Sequence, residues 1–333
     1  MRNIIVYAHR VISGEPMNKT VLRALAAACA AACIAAPSFA AAPMAKTPAP
    51  GYFRVMLGQF EITPLSDGTV DLPVDKLLSD KAEKTQATLA KSFLKAPLET
   101  SDNAFLVNTG KKLILVDTGA GVLFGPTLGK LLANMKAAGY TPEQVDEVYL
   151  THFHSDHLGG LTGSAQPAFP NATVRASKLE ADHWLSQANM DKAPADGKGT
   201  FKNAMAALDP YIKAGRFKTF EGDVEVSPGF RSLGGHGHTP GHTTFVVESG
   251  GQKMMLIGDL IHVAAVQFEN PAVTIGFDGD QKAAAAARKK LFDMAAREGS
   301  LIGGAHLQFP GLGHLRTEGK GYRFVPVNYT QMR

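Results

Sequence analysis

The chain has 333 residues, 45% of them hydrophobic, which is enough for a real core and excludes a disordered chain. Its formal charge of +4 is small for this length and partly belongs to a basic N-terminus, so nothing in it points to nucleic acid as a partner. Charge says nothing further about the substrate.

The first predicted element is a leader. After MNKTVLR, with Lys19 and Arg23, the run ALAAACAAACIAAPSFAAAP has the basic, apolar and small-residue parts of a secretory signal. Cleavage is expected after Ala40, with Ser38 and Ala40 as the small residues. Met17 reads as the true start, leaving residues 1–16 as an upstream extension. The apolar run is short for a membrane anchor, and neither cysteine has the leucine three residues earlier that a lipoprotein site needs. Cys29 and Cys33 both fall in this segment, so the mature chain from residue 41 is expected to hold no disulfide and no thiolate ligand. A periplasmic or secreted location follows.

Residues 41–333 read as one domain in which strands and helices alternate, without a repeat of fixed period. The alternation in FRVMLGQFEITPLSDG predicts two antiparallel strands joined at Gly58, and the polar, lysine-rich stretch from Leu72 to Leu98 is expected to wrap the core or cap a site. AFLVNTG and KKLILVDTG predict a hairpin, PTLGKLLANMKAAG a helix ending at Gly139, and VDEVYL a buried strand. ATVRA, RFKTF, FRSLGG, TTFVVES and KMMLIGD follow as strands. SKLEADHWLSQ, FKNAMAAL and DQKAAAAARKKLFDMAAREG follow as helices.

The strand VDEVYL delivers THFHSDHLGG, with three histidines and an aspartate within six residues. Such a cluster is awkward to bury without a cation. His152 and His154, two apart after a strand, project to one side, while Asp156 and His157 fall where a helix should start and face a second centre. Downstream, GGHGHTPGHTT offers His236, His238 and His242, of which one need be a ligand while the others support it from outside. MMLIGD ends a strand on Asp259, and LIGGAHLQFPGLGH places His306 after another.

HFHSDH, HTPGH, GD and AH, in this order, resemble the metallo-β-lactamase fold superfamily over nearly the whole mature chain. The resemblance assigns His152, His154 and His238 to one metal and Asp156, His157 and His306 to the other, with Asp259 bridging them. It also makes His236, His242 and Asp117 of LVDTG supports for the ligands. The strings LVNTG, LVDTGA, LFGPTLG, HGHTPGHTT, VAAVQF and EGKGYRFVPVNY look closest to the methyl parathion hydrolase group, which includes dihydrocoumarin lactonases. That likeness implies an α/β fold of αββα sandwich type, a two-metal centre and a homodimer. Phe124, Trp184 and Phe201 match its pocket aromatics. Organophosphate-hydrolysing members carry arginine in place of Leu77, leucine in place of His262 and smaller residues around Ile275 and Phe277, so on these points the chain resembles the lactonase side.

The function implied is hydrolysis of lactones and aryl esters by attack of a metal-bridging hydroxide, with a side activity on organophosphate triesters. Asp259 and His262 are the expected catalytic residues. The His and Asp ligands suit two divalent ions, zinc first, with manganese, cobalt and iron also accommodated. The competing readings are a methyl parathion hydrolase, a β-lactamase, a di-iron redox protein and a non-catalytic metal-binding protein.

Overall fold

The computed structural model describes residues 19–34, 42–163 and 166–330. Met17, Ser38 and Ala40, on which the expected start and cleavage site rest, lie outside them. The chain divides into two units, Met1–Pro48 and Ala49–Arg333. In the first, Lys19–Ile34 is a helix with Cys29 exposed, and among the described residues no helix is long and apolar enough to cross a membrane.

The second unit is built on two seven-stranded sheets. One runs in order through β1 (Val55–Leu57), β2 (Phe60–Leu72), β3 (Leu98–Asn108), β4 (Leu113–Val116), β5 (Glu147–Tyr149), β6 (Thr173–Ser177) and β7 (Phe217–Phe220). The other holds β8 (Glu225–Ser227), β9 (Phe230–Gly234), β10 (Thr243–Ser249), β11 (Gln252–Leu256), β12 (Leu301–Gly303), β13 (Leu312–Glu318) and β14 (Gly321–Pro326), again in sequence order. The turn at Gly58 and the expected hairpin, helices and strands are present. β8, β13 and β14 have no counterpart among the expected elements.

Side-chain alternation explains the layering. Phe105, Val107, Ile114 and Val116 of the first sheet meet Phe245, Val247, Met254 and Leu256 of the second, forming the core between the sheets. The opposite faces are apolar too, which forces helices onto both. Leu106, Leu115 and Val148 pack under the helix Lys198–Lys213 through Phe201, Leu208 and Tyr211, and Met255 and Ile302 under the helix Gln281–Glu298 through Leu291 and Phe292. The αββα sandwich expected from the sequence is the fold observed. Fully burying each such side chain contributes roughly 1.5–3 kcal/mol.

Parallel pairing aims the functional loops. β4, β5, β6 and β7 are parallel to one another, as are β11 and β12. Asp117 follows β4, the HFHSDH segment follows β5, Asp259 follows β11 and His306 follows β12, so these residues gather at the carboxyl ends of parallel strands.

A bulge between β2 and β3 at Ser66/Gly68 shapes the same edge. Gly68 has φ 128°, and a β-carbon there would sit 2.0 Å from the carbonyl oxygen of Thr127, so only glycine lets the 120s loop approach. Asp67, buried beside it, accepts from the backbone N–H groups of Ala120, Gly129 and Leu131 at 2.8–2.9 Å. One carboxylate thus fixes the loop that carries Phe124. The lysine-rich stretch forms helices Val74–Leu77 and Ala82–Lys91, whose Val74 and Leu89 pack on Val263, Val266 and Ile275, covering the chain just after Asp259.

Candidate metal centre

The expected ligands converge in two groups. His152, His154, His238 and Asp259 form one, and Asp156, His157, Asp259 and His306 the other, with the ligand atoms of each group within 4.8 Å of one another. Asp259 belongs to both. Its Oδ1 lies 3.0 Å from His157 Nε2 and 3.1 Å from His306 Nε2, and its Oδ2 lies 3.2 Å from His238 Nε2 and 3.5 Å from His152 Nε2. Asp156 Oδ2 completes the second group at 3.7 Å from His157 Nε2 and 3.6 Å from His306 Nε2. His152 Nε2, His157 Nε2 and Asp259 Oδ1 are buried yet make no hydrogen bond. Buried polar atoms without partners are costly, and here they surround common points, which is what cations would satisfy. Five imidazoles and two carboxylates, with no thiolate, are a nitrogen and oxygen set suited to zinc and to other first-row divalent ions.

Local structure explains how each ring is aimed. His154 precedes the one-turn helix Ser155–Leu158, which turns Asp156 and His157 away from the first group. Asp117 holds the far side of His157: its Oδ2 accepts from His157 Nδ1 at 2.9 Å and from the Thr151 hydroxyl at 2.8 Å, and its Oδ1 accepts from Thr151 N at 2.8 Å. Asp117 adopts φ 61°, a left-handed backbone that costs about 1–2 kcal/mol for a residue with a β-carbon. His238 Nδ1 sits 2.9 Å from Asp278 Oδ1, and His306 Nδ1 3.0 Å from the Ser101 carbonyl. With Nδ1 tied in each of these three rings, Nε2 is the atom that faces the centre.

Electrostatics follow from the same crowding. Burial opposes charge on Asp259, but the neighbouring His157, His306, His152 and His262 outweigh it and hold the carboxyl well below its usual range. Burial likewise opposes charge on His306, yet Asp259 and Asp156 push it up to about 9. His154, buried against His238, is pushed down to about 3.

His242 is buried behind Asp259. Its Nε2 accepts from the Asp259 backbone N–H at 2.9 Å while its Nδ1 faces the Gly235 carbonyl at 3.1 Å. His236 does not share this role. It is exposed and lines a separate cleft with Ser177, Lys178, Asp182 and Glu221. Gly237, at φ 126° and pressed against the backbone of Ala284, turns the chain so that His236 and His238 part company.

A cavity of about 280 Å³ opens onto both groups. Of the expected pocket residues, Phe124, Phe277 and His262 line it, together with Val70, Leu72, Leu128 and Asp102. Trp184 meets His154 edge-on at 5.7 Å, with Phe201 packed behind it. Leu77 and Ile275 belong to the apolar cluster beneath the Val74–Leu77 helix rather than to the cavity lining. His262 Nε2 lies 3.1 Å from Asp259 Oδ2, and its ring stacks on His306 at 4.8 Å.

Three supporting residues escape sequence reasoning. Glu180, wholly buried, accepts from Phe153 N at 3.1 Å and Gly241 N at 2.7 Å, fastening the HFHSDH loop to the HTPGH loop. Asp278 aims His238. Arg288, also wholly buried, donates to the carbonyls of Leu260, Pro271 and Val273 and lies 3.4 Å from Asp278. Glu180 and Arg288 read as polar positions on amphipathic helices, and Asp278 is masked by Asp280, the true helix cap, which accepts from Ala283 N at 2.9 Å.

This fold, carrying a doubled histidine and carboxylate set over a cavity, is that of a metal-dependent hydrolase. Residues 99–306 match the metallo-β-lactamase superfamily, and the chain belongs to that superfamily. Its structure resembles that of AbOPH, a hydrolase of the β-lactamase superfamily, with 38% identity over 86% of this chain and 100% of that one and a TM-score of 0.82. It also resembles AidC, a dizinc quorum-quenching lactonase solved with N-hexanoyl-L-homoserine as product, at 27% identity over 84% and 99% of the two chains, TM-score 0.78. The N-acyl homoserine lactonase AiiA of Bacillus thuringiensis subsp. kurstaki is 25% identical over 248 residues, 69% of this chain and 89% of AiiA.

Seven ligands exceed what one tetrahedral ion takes. Elemental analysis of gently purified protein is therefore expected to give about two metals per chain. A ratio that stays at one under saturating metal would refute the double centre.

Proposed function

We propose that the chain is a lactone hydrolase whose centre holds two divalent ions, zinc first. The observation that carries this reading is the shared carboxylate of Asp259, buried between two ligand groups and facing a cavity whose walls are largely apolar. The bound ions would supply Lewis acidity toward a carbonyl and a water activated at neutral pH. The chain's own residues do the rest. Asp259 keeps the two groups in register, Asp117 and Asp278 hold the rings that flank it, and Phe124 and Phe277 give a cyclic ester an apolar surface that limits bulk water. Two lactone classes fit: aryl lactones such as dihydrocoumarin, from the sequence resemblance, and N-acyl homoserine lactones, the substrates in AiiA's name, with N-hexanoyl-L-homoserine the product bound to AidC. Phosphotriester turnover is a side activity in this reading.

The test is a panel of lactones, aryl esters, phosphotriesters and a chromogenic β-lactam assayed with fully metallated protein. Lactones are expected to show the highest kcat/KM. No hydrolysis across the panel would favour a non-catalytic metal-binding protein.

His262 lines the cavity and its Nε2 lies against Asp259, so its single N–H is placed to serve either the shared carboxylate or, with that carboxylate engaged by metal, the substrate oxygen. His262→Leu is expected to lower kcat/KM for dihydrocoumarin by roughly tenfold or more, the scale of losing a positioned proton donor. Methyl parathion turnover should fall less or rise, because its aryloxide leaves without protonation. A parallel change for the two substrates would leave His262 only the task of holding Asp259.

A further inference from the structure

Asp102 is a buried acid that the centre does not explain. It lies on β3 opposite Gly68 at the bulge, is 2% exposed, and lines the cavity with Asp156, Asp259 and His306. Its Oδ2 has no hydrogen-bond partner. Other buried acids are provided for. Asp67 takes three backbone N–H groups, Glu180 two, Asp117 a hydroxyl, an N–H and an imidazole, Asp278 an imidazole and an N–H, and Glu147 Lys112, Tyr149 and Arg175. Asp259 belongs to both ligand groups. The residues flanking Asp102 are equally committed: the Ser101 carbonyl meets His306 Nδ1, and Asn103 Nδ2 donates to Leu307 O at 2.7 Å.

Nor is Asp102 an additional ligand, since it joins neither group of converging atoms. Burial, with Asp156 and Asp67 nearby, holds its carboxyl well above the usual range, so the fold bears it at a cost in stability. Whether protonated or not, a carboxyl presents an acceptor oxygen. The donors on the cavity wall, His154, Ser155, Thr200, His262 and His306, make no hydrogen bond to Asp102 Oδ2, and the rest of the lining is acidic or apolar. The missing partner is then a donor brought in by the substrate.

Resting on the lactone reading, we propose that Asp102 determines specificity by accepting the N–H of an acylamino group on the carbon beside the lactone carbonyl. A lactone without that N–H enters the same cavity but leaves the acid unpaired in a dehydrated site. A site built around a polar group rejects a substrate that lacks its partner far more strongly than an apolar wall rejects a missing methylene. This singles out acylamino lactones over aryl lactones as the class the cavity is built for.

The experiment compares kcat/KM for N-hexanoyl homoserine lactone and for α-heptyl-γ-butyrolactone, of similar length but without the N–H, in wild type, Asp102→Leu and Asp102→Asn, with metal content and melting temperature measured for each. Asp102→Leu should lower the acylamino lactone by about tenfold or more, the scale of one unmade buried hydrogen bond, and leave the alkyl lactone unchanged or faster. Asp102→Asn, which keeps an acceptor, should retain most of the preference. Both variants should bind the wild-type amount of metal and melt at or above the wild-type temperature, because an unpartnered acid is removed. A preference that survives in Asp102→Leu while both lactones are hydrolysed overturns the inference alone, as does a clear fall in melting temperature in both variants. Wild-type protein that is fully metallated and hydrolyses neither lactone overturns the lactone reading and this inference with it.

Discussion

Asp259→Ala is expected to lose most of its metal and to lower kcat/KM by about a thousandfold or more, on the order of 4 kcal/mol of transition-state stabilisation. Asp259 is the residue common to both ligand groups, and its two oxygens face four of the five ligand imidazoles at 3.0–3.5 Å. Alanine removes one ligand from each group and the carboxylate that offsets the charge of the imidazole cluster. His183→Ala is the control, expected to keep both metal and activity. His183 lies partly exposed on the helix Lys178–Trp184 and touches the rings of Trp184 and Phe201, outside both ligand groups. Metal content by elemental analysis and kcat/KM on a lactone decide the matter. Equal losses in the two variants would mean that the ligands are wrongly assigned.

The largest effect on stability is expected from Arg288→Leu. The guanidinium is wholly buried and serves three carbonyls and Asp278. Removing one partner of such a buried charged set costs about 3–5 kcal/mol, because the groups left behind have no water to turn to. For a domain of this size that is a fall of about 10 °C in melting temperature. Arg288→Lys should fall between the two, since an ammonium keeps the charge but cannot span the same acceptors. A melting temperature within about 2 °C of wild type in Arg288→Leu would show that these carbonyls find other donors, against the usual cost of an unmade buried hydrogen bond.

These two residues also mark how far the sequence is legible. Asp259 stands at the end of an apolar run on a strand, and the histidine spacings are local, so ligand residues within one motif are neighbours in the fold. Arg288 and Glu180 act across long sequence separations, and no periodicity distinguishes a helix position that faces water from one that reaches a distant loop. Strands fare similarly. β2 opens on the alternation of FEITPL and β3 holds the apolar run AFLV, signals that can be read locally, whereas three-residue β8 is defined by pairing with β9 rather than by any pattern of its own. His236 fails for a related reason: its proximity to His238 in sequence is undone by the backbone reversal at Gly237. Asp102, inside a strand of buried residues, is visible as an oddity only once its lack of a partner is known.

The division of ligands between the two sheets also orders events during synthesis. The loop after β5 brings His152 and His154 to one group and Asp156 and His157 to the other, two ligands each, too few to retain an ion. His238, Asp259 and His306 come from the second sheet, and His306 follows β12, so neither group is complete when the first sheet leaves the ribosome. At about 5–20 residues per second, the ribosome needs on the order of ten seconds to pass from the first ligand to the last. Metal capture is therefore a closing event of maturation. It completes a centre whose ligands come from both sheets, and because the core between the sheets packs without it, a chain starved of metal would keep its core and lack its ions.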